Sequence, residues 1–208
     1  MLVDDHAVVR MGFKLLLQAC EDIEVVDEAA SGEEACQIYE AAAPDVVVMD
    51  IAMAGMGGIE AIKRLLAKDA NARILALSAH EDTSHPKRAL QAGALGYLSK
   101  RSAPEVLIDA IRAIALGRRY LDAQIAQRMA LQDLCGDKGP LEKLSAREFE
   151  VFVQLARGQS VAQISETLWL SSSTVGTHLY NIKQKLGLAN QAEMTLLAVR
   201  HGLIDVSG

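Results

Sequence analysis

Five short β-rich runs alternate with helical patterns through the first 118 residues of the 208-residue chain, and this alternation constrains the fold more than any other feature. The runs are LVDD, EVVDEA, DVVVMD, RILALSA and GYLSK. The helical patterns that follow them in turn are VVRMGFKLLLQAC, SGEEACQIYEAAA, GIEAIKRLLAKD, PKRALQAGA and APEVLIDAIRAIALG. The strand runs are apolar without alternation, the pattern of strands covered on both faces, so a parallel sheet with helices on each side is expected. Ser31 and Glu34 have the spacing of a capping box at the start of the second helix. Ligands of such sheets bind beyond the carboxyl ends of the strands.

The remainder changes character. Residues 119–143 hold one helical pattern and then a Gly/Asp/Lys/Pro stretch, which reads as a linker. From residue 144 onward only helical patterns occur, four in all, the first opened by a second capping-box pair, Ser145 and Glu148. The expected division is 1–118, a linker over 119–143, and an all-α domain over 144–208. Residues 1–118 carry 18 acidic against 12 basic side chains and therefore the whole net charge of −6, while 144–208 carry five of each. That acidity argues against a general nucleic-acid coat protein but leaves room for a local basic face. No apolar run has transmembrane length, and the MLVDDHAVVR start lacks a basic secretory n-region, so a cytoplasmic protein is expected. Cys20, Cys36 and Cys135 show no metal-ligand spacing. The first two lie on apolar helical faces and the third in the linker.

The residues at the strand ends are more specific. The first strand ends at Asp4 and Asp5, the third at Asp50, the fourth at Ser78 and the fifth at Lys100. Three carboxylates, a hydroxyl and an ammonium would converge on one sheet edge. Clustered carboxylates repel, and a hard divalent cation such as Mg²⁺ relieves that repulsion. The chemistry that fits is attack of a carboxylate on a phosphoryl group, with the cation and Lys100 neutralising charge and Ser78 donating a hydrogen bond. An aspartyl phosphatase of the haloacid dehalogenase kind needs an acid two residues after its nucleophile. Here that position is Ala52, which counts against an enzyme.

VDDH, PDVVVMDIAMAGMGG, LSAHED and AGALGYLSK resemble the receiver domain of two-component response regulators. The resemblance implies a flavodoxin-like (βα)5 fold and a phosphoacceptor, Asp50, charged by a sensor histidine kinase. It also implies Mg²⁺ ligands in Asp5, Asp50 and the carbonyl of Ala52, with Asp4 acting through water. Ser78 and Lys100 would hold the phosphoryl group, and Tyr97 would be an aromatic switch drawn inward with Ser78 on phosphorylation. That change would rearrange the surface around HEDTSHPKRAL and release the helical domain. Two departures stand out: Met53-Ala54 replaces the usual Met-Pro, and only Met1 to Val3 precede Asp4, so that either the start codon is misplaced or the first strand is short and the sheet weakened.

VAQISETLWLSSSTVGTHLYNIKQKLG has the helix–turn–helix pattern and resembles the LuxR/NarL output domain. With Val175, Leu179, Ile182 and Leu186 packed inward, Thr174, Gly176, Thr177, His178, Tyr180, Asn181, Lys183 and Lys185 fall on or beside the outward face. Lys183 and Lys185 suit phosphates; Thr177, His178 and Asn181 suit base edges. The family commonly has Lys at position 176 and Arg at position 191, where this chain has Gly and Gln. Pairing of two copies through NQAEMTLLAVRHGL would offset weak single-site affinity, so a homodimer on double-stranded DNA is expected when phosphorylated. The stretches APEVLIDAIRAIALGRRYLDAQIAQRMAL and EMTLLAVRHGLIDVSG are similar to the GacA/UvrY branch. The expected function is a phosphorylation-controlled transcription regulator; the alternative is a receiver-bearing interaction protein that has lost DNA binding.

Overall fold

The computed structural model describes residues 1–79, 84–134, 140–201 and 203–204. The chain forms two compact units, the first built from Met1–Ala79 and His85–Ala126. In that unit β1 (Leu2–Val3), β2 (Glu28–Ala29), β3 (Val47–Asp50), β4 (Ile74–Ser78), β5 (Gly96–Ser99) and β6 (Tyr120–Leu121) make one parallel sheet in the order β2-β1-β3-β4-β5-β6. The helices between them are α1 (Ala7–Gln18), α2 (Gly32–Ala42), α3 (Gly57–Lys68), α4 (Ser84–Gln91) and α5 (Pro104–Ala115). The chain order reverses between β1 and β3, which opens a crevice at their carboxyl ends.

Burial matches the apolar runs. Leu2, Val48, Leu75, Leu77 and Leu98 pack with Leu107, Ile111 and Ile114 of α5. Val47, Met49, Ile74 and Ala76, of the opposite parity, are buried as well, as a doubly covered sheet requires. The second strand is shorter than EVVDEA suggests, because only Glu28 and Ala29 pair with β1. The sixth strand lies inside the expected linker. Tyr120 and Leu121 pair with Gly96 and Tyr97, a two-residue ladder too short to leave a period in the sequence.

The first strand is as short as expected, yet it is held at both ends. The Met1 ammonium donates to Val46 O at 2.9 Å, Val48 N–H donates to Met1 O at 3.0 Å, and Asp4 N–H donates to Ala29 O at 3.1 Å. The ladder thus continues to Asp4, and burial of the amine pushes its pKa down to about 6. At α2, Ser31 Oγ accepts from Glu34 N–H, but the Glu34 carboxylate reaches Ala30 N–H at 2.6 Å, one residue before the position a reciprocal box would use.

The second unit contains α7 (Ala146–Ala156), α8 (Val161–Leu168), α9 (Ser172–Leu186) and α10 (Gln191–Arg200). Before them, α6 (Ala123–Leu134) and a 3-10 turn (Pro140–Lys143) occupy the region expected as a linker. Helix α7 packs on the other three helices, around Phe149, Phe152, Ile164, Leu168, Val175, Ile182, Met194 and Ala198. The capping box at Ser145 and Glu148 is complete, and Ser160 with Gln163 forms another at α8. Cys36 is buried and Cys20 half-buried, both as free thiols; the expectation for Cys135 lies outside the described residues, as does the HEDT segment 80–83.

Gly58 decides how closely α3 approaches the end of β3. A Cβ there would lie 2.1 Å from Asp50 O and 2.5 Å from Ile51 Cα, both backbone atoms that cannot swing aside. Gly58→Ala should therefore lower the stability of the full chain by about 2 kcal/mol or more in urea denaturation, the scale of an overpacked core. A loss under about 0.5 kcal/mol, a surface-like effect, would show that the α3 start can retreat.

Candidate functional site

The sheet order brings the predicted strand-end groups together. Asp4 follows β1, Asp50 ends β3, Ser78 ends β4 and Lys100 follows β5. Asp4 and Asp50 are only 3 % and 2 % exposed. Buried carboxylates demand a cation, and Lys100 Nζ supplies it, 2.6 Å from Asp4 Oδ2 and 2.7 Å from Asp50 Oδ2. The remaining oxygens are also used. Asp4 Oδ1 accepts from His6 N–H at 2.9 Å, and Asp50 Oδ1 accepts from Ala52 N–H at 3.0 Å.

One ammonium between two carboxylates leaves a negative charge in excess inside the protein. Burial accordingly pushes the Asp50 carboxyl above its ordinary range against the opposing pull of Lys100, and the Asp4 charge adds to the rise. For Lys100, burial works to lower its pKa, but Asp50 and Asp4 outweigh that and hold it above the usual lysine value.

Asp5 lies at the same edge. Its Oδ2 accepts from Ala54 N–H at 3.1 Å, pinning the loop after β3. Its Oδ1 is buried and accepts no hydrogen bond, although His6 Nδ1 lies 2.7 Å away. Oxygens of Asp4, Asp5 and Asp50, with a His6 ring nitrogen, all fall within 4.8 Å of one another. A donor set of carboxylate oxygens with one left unsatisfied fits a hard divalent cation.

Ser78 and Tyr97 are both fully buried. Tyr97 therefore already occupies the inward position to which phosphorylation was expected to draw it. The loop after β3 has a support that the sequence did not reveal: Glu33, at the start of α2, accepts from Met56 N–H at 2.7 Å. Arg10 of α1 donates to Asp4 O at 2.6 Å and lies 3.4 Å from Glu28. These two residues carry no motif of their own, and only their placement in the first turns of helices hinted at a role.

In the second unit, Thr174, Thr177, Tyr180 and Lys185 are exposed, whereas Gly176, His178, Asn181 and Lys183 are half-buried. His178 Nδ1 is buried without a hydrogen-bond partner, so that edge of the half-buried ring lies against the protein. Burial holds that imidazole below its usual pKa, opposed by the Glu148 charge and aided by Arg147 and Lys185. Both lysine ammonium groups are engaged within the unit. Lys183 Nζ donates to Ala189 O at 3.0 Å, and Lys185 Nζ pairs with Glu148 at 2.6 Å. Glu148 is a residue that sequence reasoning read only as a cap. It is 4 % exposed, caps α7 through Ser145 N–H and carries a second bond from α9. Gln191, which stands where the family has Arg, donates to Leu155 O at 2.8 Å and ties α10 to the end of α7.

Residues 1–112 match the response regulator receiver domain, and residues 142–198 match the bacterial regulatory proteins of the luxR family. The chain belongs to the response regulator family. It is 42 % identical over 207 residues to response regulator UvrY of Escherichia coli (strain K12), covering 99 % of this chain and 95 % of that one. It is 38 % identical over 209 residues to response regulator GacA of Pseudomonas aeruginosa, covering 100 % and 98 %. The crystal structure of response regulator ChrA, from a heme-sensing two-component system, superposes with a TM-score of 0.54 at 37 % identity, over 98 % of this chain and 97 % of that one. Among the described residues, no helix of this response regulator is long and apolar enough to cross a membrane.

The Glu148–Lys185 pair gives a stability prediction with a defined pH dependence. Burial raises the Glu148 pKa, but the bonds from Lys185 and Ser145 prevail and hold it below the ordinary 4.5. Its contribution is therefore present above that value and is lost as pH falls through the folded-state pKa. Glu148→Gln should destabilise the helical unit by about 2 kcal/mol at pH 7. The difference from wild type should vanish in the acid limb of a thermal-melting series. A pH-independent difference would assign the effect to packing instead.

Proposed function

We propose that this response regulator is a phosphorylation-controlled transcription regulator that accepts phosphate on Asp50 from a sensor histidine kinase and binds double-stranded DNA through its luxR-family unit. The observation that carries the reading is the buried Asp50 carboxylate, held beside Lys100 and Asp4 at the sheet's carboxyl edge. In the step itself, an Asp50 Oδ forms the bond to phosphorus while the phosphorus–nitrogen bond of the donor breaks. Asp50 Oδ1 is oriented by Ala52 N–H, and Lys100 faces the oxygens on which charge develops. Ser78, at the end of the neighbouring β4, is the hydroxyl of the set, and Tyr97, opposite Ala76 on β5, is the aromatic residue assigned to the switch.

Asp5, Asp50 and the Ala52 carbonyl would hold Mg²⁺, with Asp4 in support; the orphaned Asp5 Oδ1 is the feature that supports this. When bound, the cation neutralises charge on the transferring oxygens. The division into a receiver over 1–118, a connecting segment over 119–143 and a DNA-binding domain over 144–208 is part of the same reading, as are cytoplasmic location and pairing of phosphorylated copies on DNA. The protein acts as a regulator and not as an enzyme turning over a substrate.

Incubation of the full chain with acetyl phosphate and Mg²⁺ should add one phosphoryl group to the wild type and none to Asp50→Asn, as read by intact mass. An unmodified wild type would sink the phosphoacceptor assignment.

The alternative, loss of DNA binding, has one observation in its favour: both lysines of α9 are engaged within the protein. Gly176 offers the test. Nothing lies within 4 Å of a Cβ built there, so a side chain fits without displacement. Gly176→Lys should stabilise α9 by about 1 kcal/mol and steepen the salt dependence of duplex binding by about one unit in log–log slope. If neither wild type nor variant binds any duplex at low salt, the alternative holds.

A further inference from the structure

Trp169, the single tryptophan of the chain, is 80 % exposed. It is also one of two non-glycine residues with positive φ among those described, at φ 54 and ψ 44 in the left-handed region. A large side chain in that conformation is strained, and glycine or asparagine would enter it more easily. An apolar ring kept in water at a strained position calls for an explanation in what it contacts.

The turn around it is fixed from both sides. Arg147 donates to Leu168 O at 2.8 Å, and Leu170 N–H donates to Ser165 O at 3.0 Å. Ser165 Oγ, in turn, meets Ser172 Oγ at 3.3 Å. Leu168 is buried, and Leu170 packs against the same core. The left-handed residue between them reverses the chain and points the indole outward. The turn is therefore rigid, and the ring is presented rather than merely left over.

The residues C-terminal to the turn point to the partner that covers the ring. Ser171 caps α9, and Ser171, Ser172, Ser173 and Thr174 are all exposed at the positive end of that 15-residue helix. No acidic residue occurs between Glu166 and Glu193, so the segment is suited to a polyanion even though the whole domain is net neutral. In helix–turn–helix docking the second helix enters the major groove and the first crosses the backbone, which places the turn between them over a phosphate strand. An indole offers an apolar face to a sugar and one N–H donor to a phosphate oxygen.

We propose that Trp169 is a DNA-backbone contact, its ring lying on a deoxyribose and its Nε1–H donated to a phosphate, in a segment that lacks a side chain at position 176. The inference rests on the DNA-binding reading and names a residue which that reading does not require. The contact positions the protein without reading sequence, and a neutral donor releases no counterion.

The test uses the full chain and a labelled mixed-sequence duplex at low salt, with binding followed by anisotropy and Trp169 followed by its own emission. On saturation, the emission should move to shorter wavelength and acrylamide quenching should fall by about half, as expected for a ring leaving water. Trp169→Gly relieves the backbone and keeps the turn, so it should fold at least as well as wild type. It should bind the duplex about fivefold more weakly, the scale of one net hydrogen bond, with an unchanged salt slope. Duplex binding by anisotropy without any change at Trp169, together with a Trp169→Gly affinity equal to wild type, would overturn this proposal and leave the DNA-binding reading intact. Absence of duplex binding at any salt would remove that reading and the proposal with it. An emission shift that tracks protein concentration without DNA would assign the indole to a second copy of the chain and overturn the proposal.

Discussion

The ammonium of Lys100 between Asp4 and Asp50 is the interaction on which the first unit depends. Two carboxylates that are almost wholly buried cannot be left without a cation, and the only groups that bring one are the ends of strands far apart in sequence. The order β2-β1-β3-β4-β5-β6 places β1 and β3 side by side, so that Asp4 and Asp50 become neighbours. β5 then delivers Lys100 from across β4. The sheet's topology and its charge balance are thus one constraint seen twice. Because one cation serves two anions, the balance is incomplete; the Asp50 pKa is raised mainly by burial, and the neighbouring Asp4 charge adds to the rise. A site left short of positive charge is ready to receive more, and the unsatisfied oxygen of Asp5 lies on the same edge.

Much of this arrangement could be read from the sequence because strand ends are defined by abrupt changes from apolar to charged residues. Asp4, Asp50, Ser78 and Lys100 each come after a buried run, and the topological rule for parallel sheets then collects them. Glu33 and Arg10 could not be found that way. They act through the backbone of a loop and of β1, and a hydrogen bond to a distant peptide group leaves no spacing to recognise. The sixth strand was invisible for a related reason, since two residues have no period. The second strand was overread because Val25 and Val26 are β-branched but find no partner strand.

The helical unit shows where helical wheels stop being informative. They placed Val175 and Ile182 inward correctly, and both are fully buried. The same wheel turned Lys185 outward, and the residue is exposed, but its ammonium reaches back to α7. The reason is a buried carboxylate from another helix: Glu148 already caps α7, so its side chain is fixed, and the long arm of Lys185 reaches it. Nothing in the periodicity of α9 encodes a partner 37 residues away.

Helix α7 has a mechanical role beyond its place in the core. Near its start Glu148 grips α9, and at its end the carbonyls of Leu155 and Ala156 receive Gln191 and Thr195 of α10. The helix that presents polar groups outward and the last helix of the unit are therefore riveted to opposite ends of one rod. In any pairing of two copies through α10, the distance between the two α9 helices would be set by the rod and its rivets, with little slack for the DNA to adjust. On the proposed pairing of copies on DNA, tolerance to changes in half-site spacing would then fall to α7, whose bonds to α9 and α10 hold the two helices.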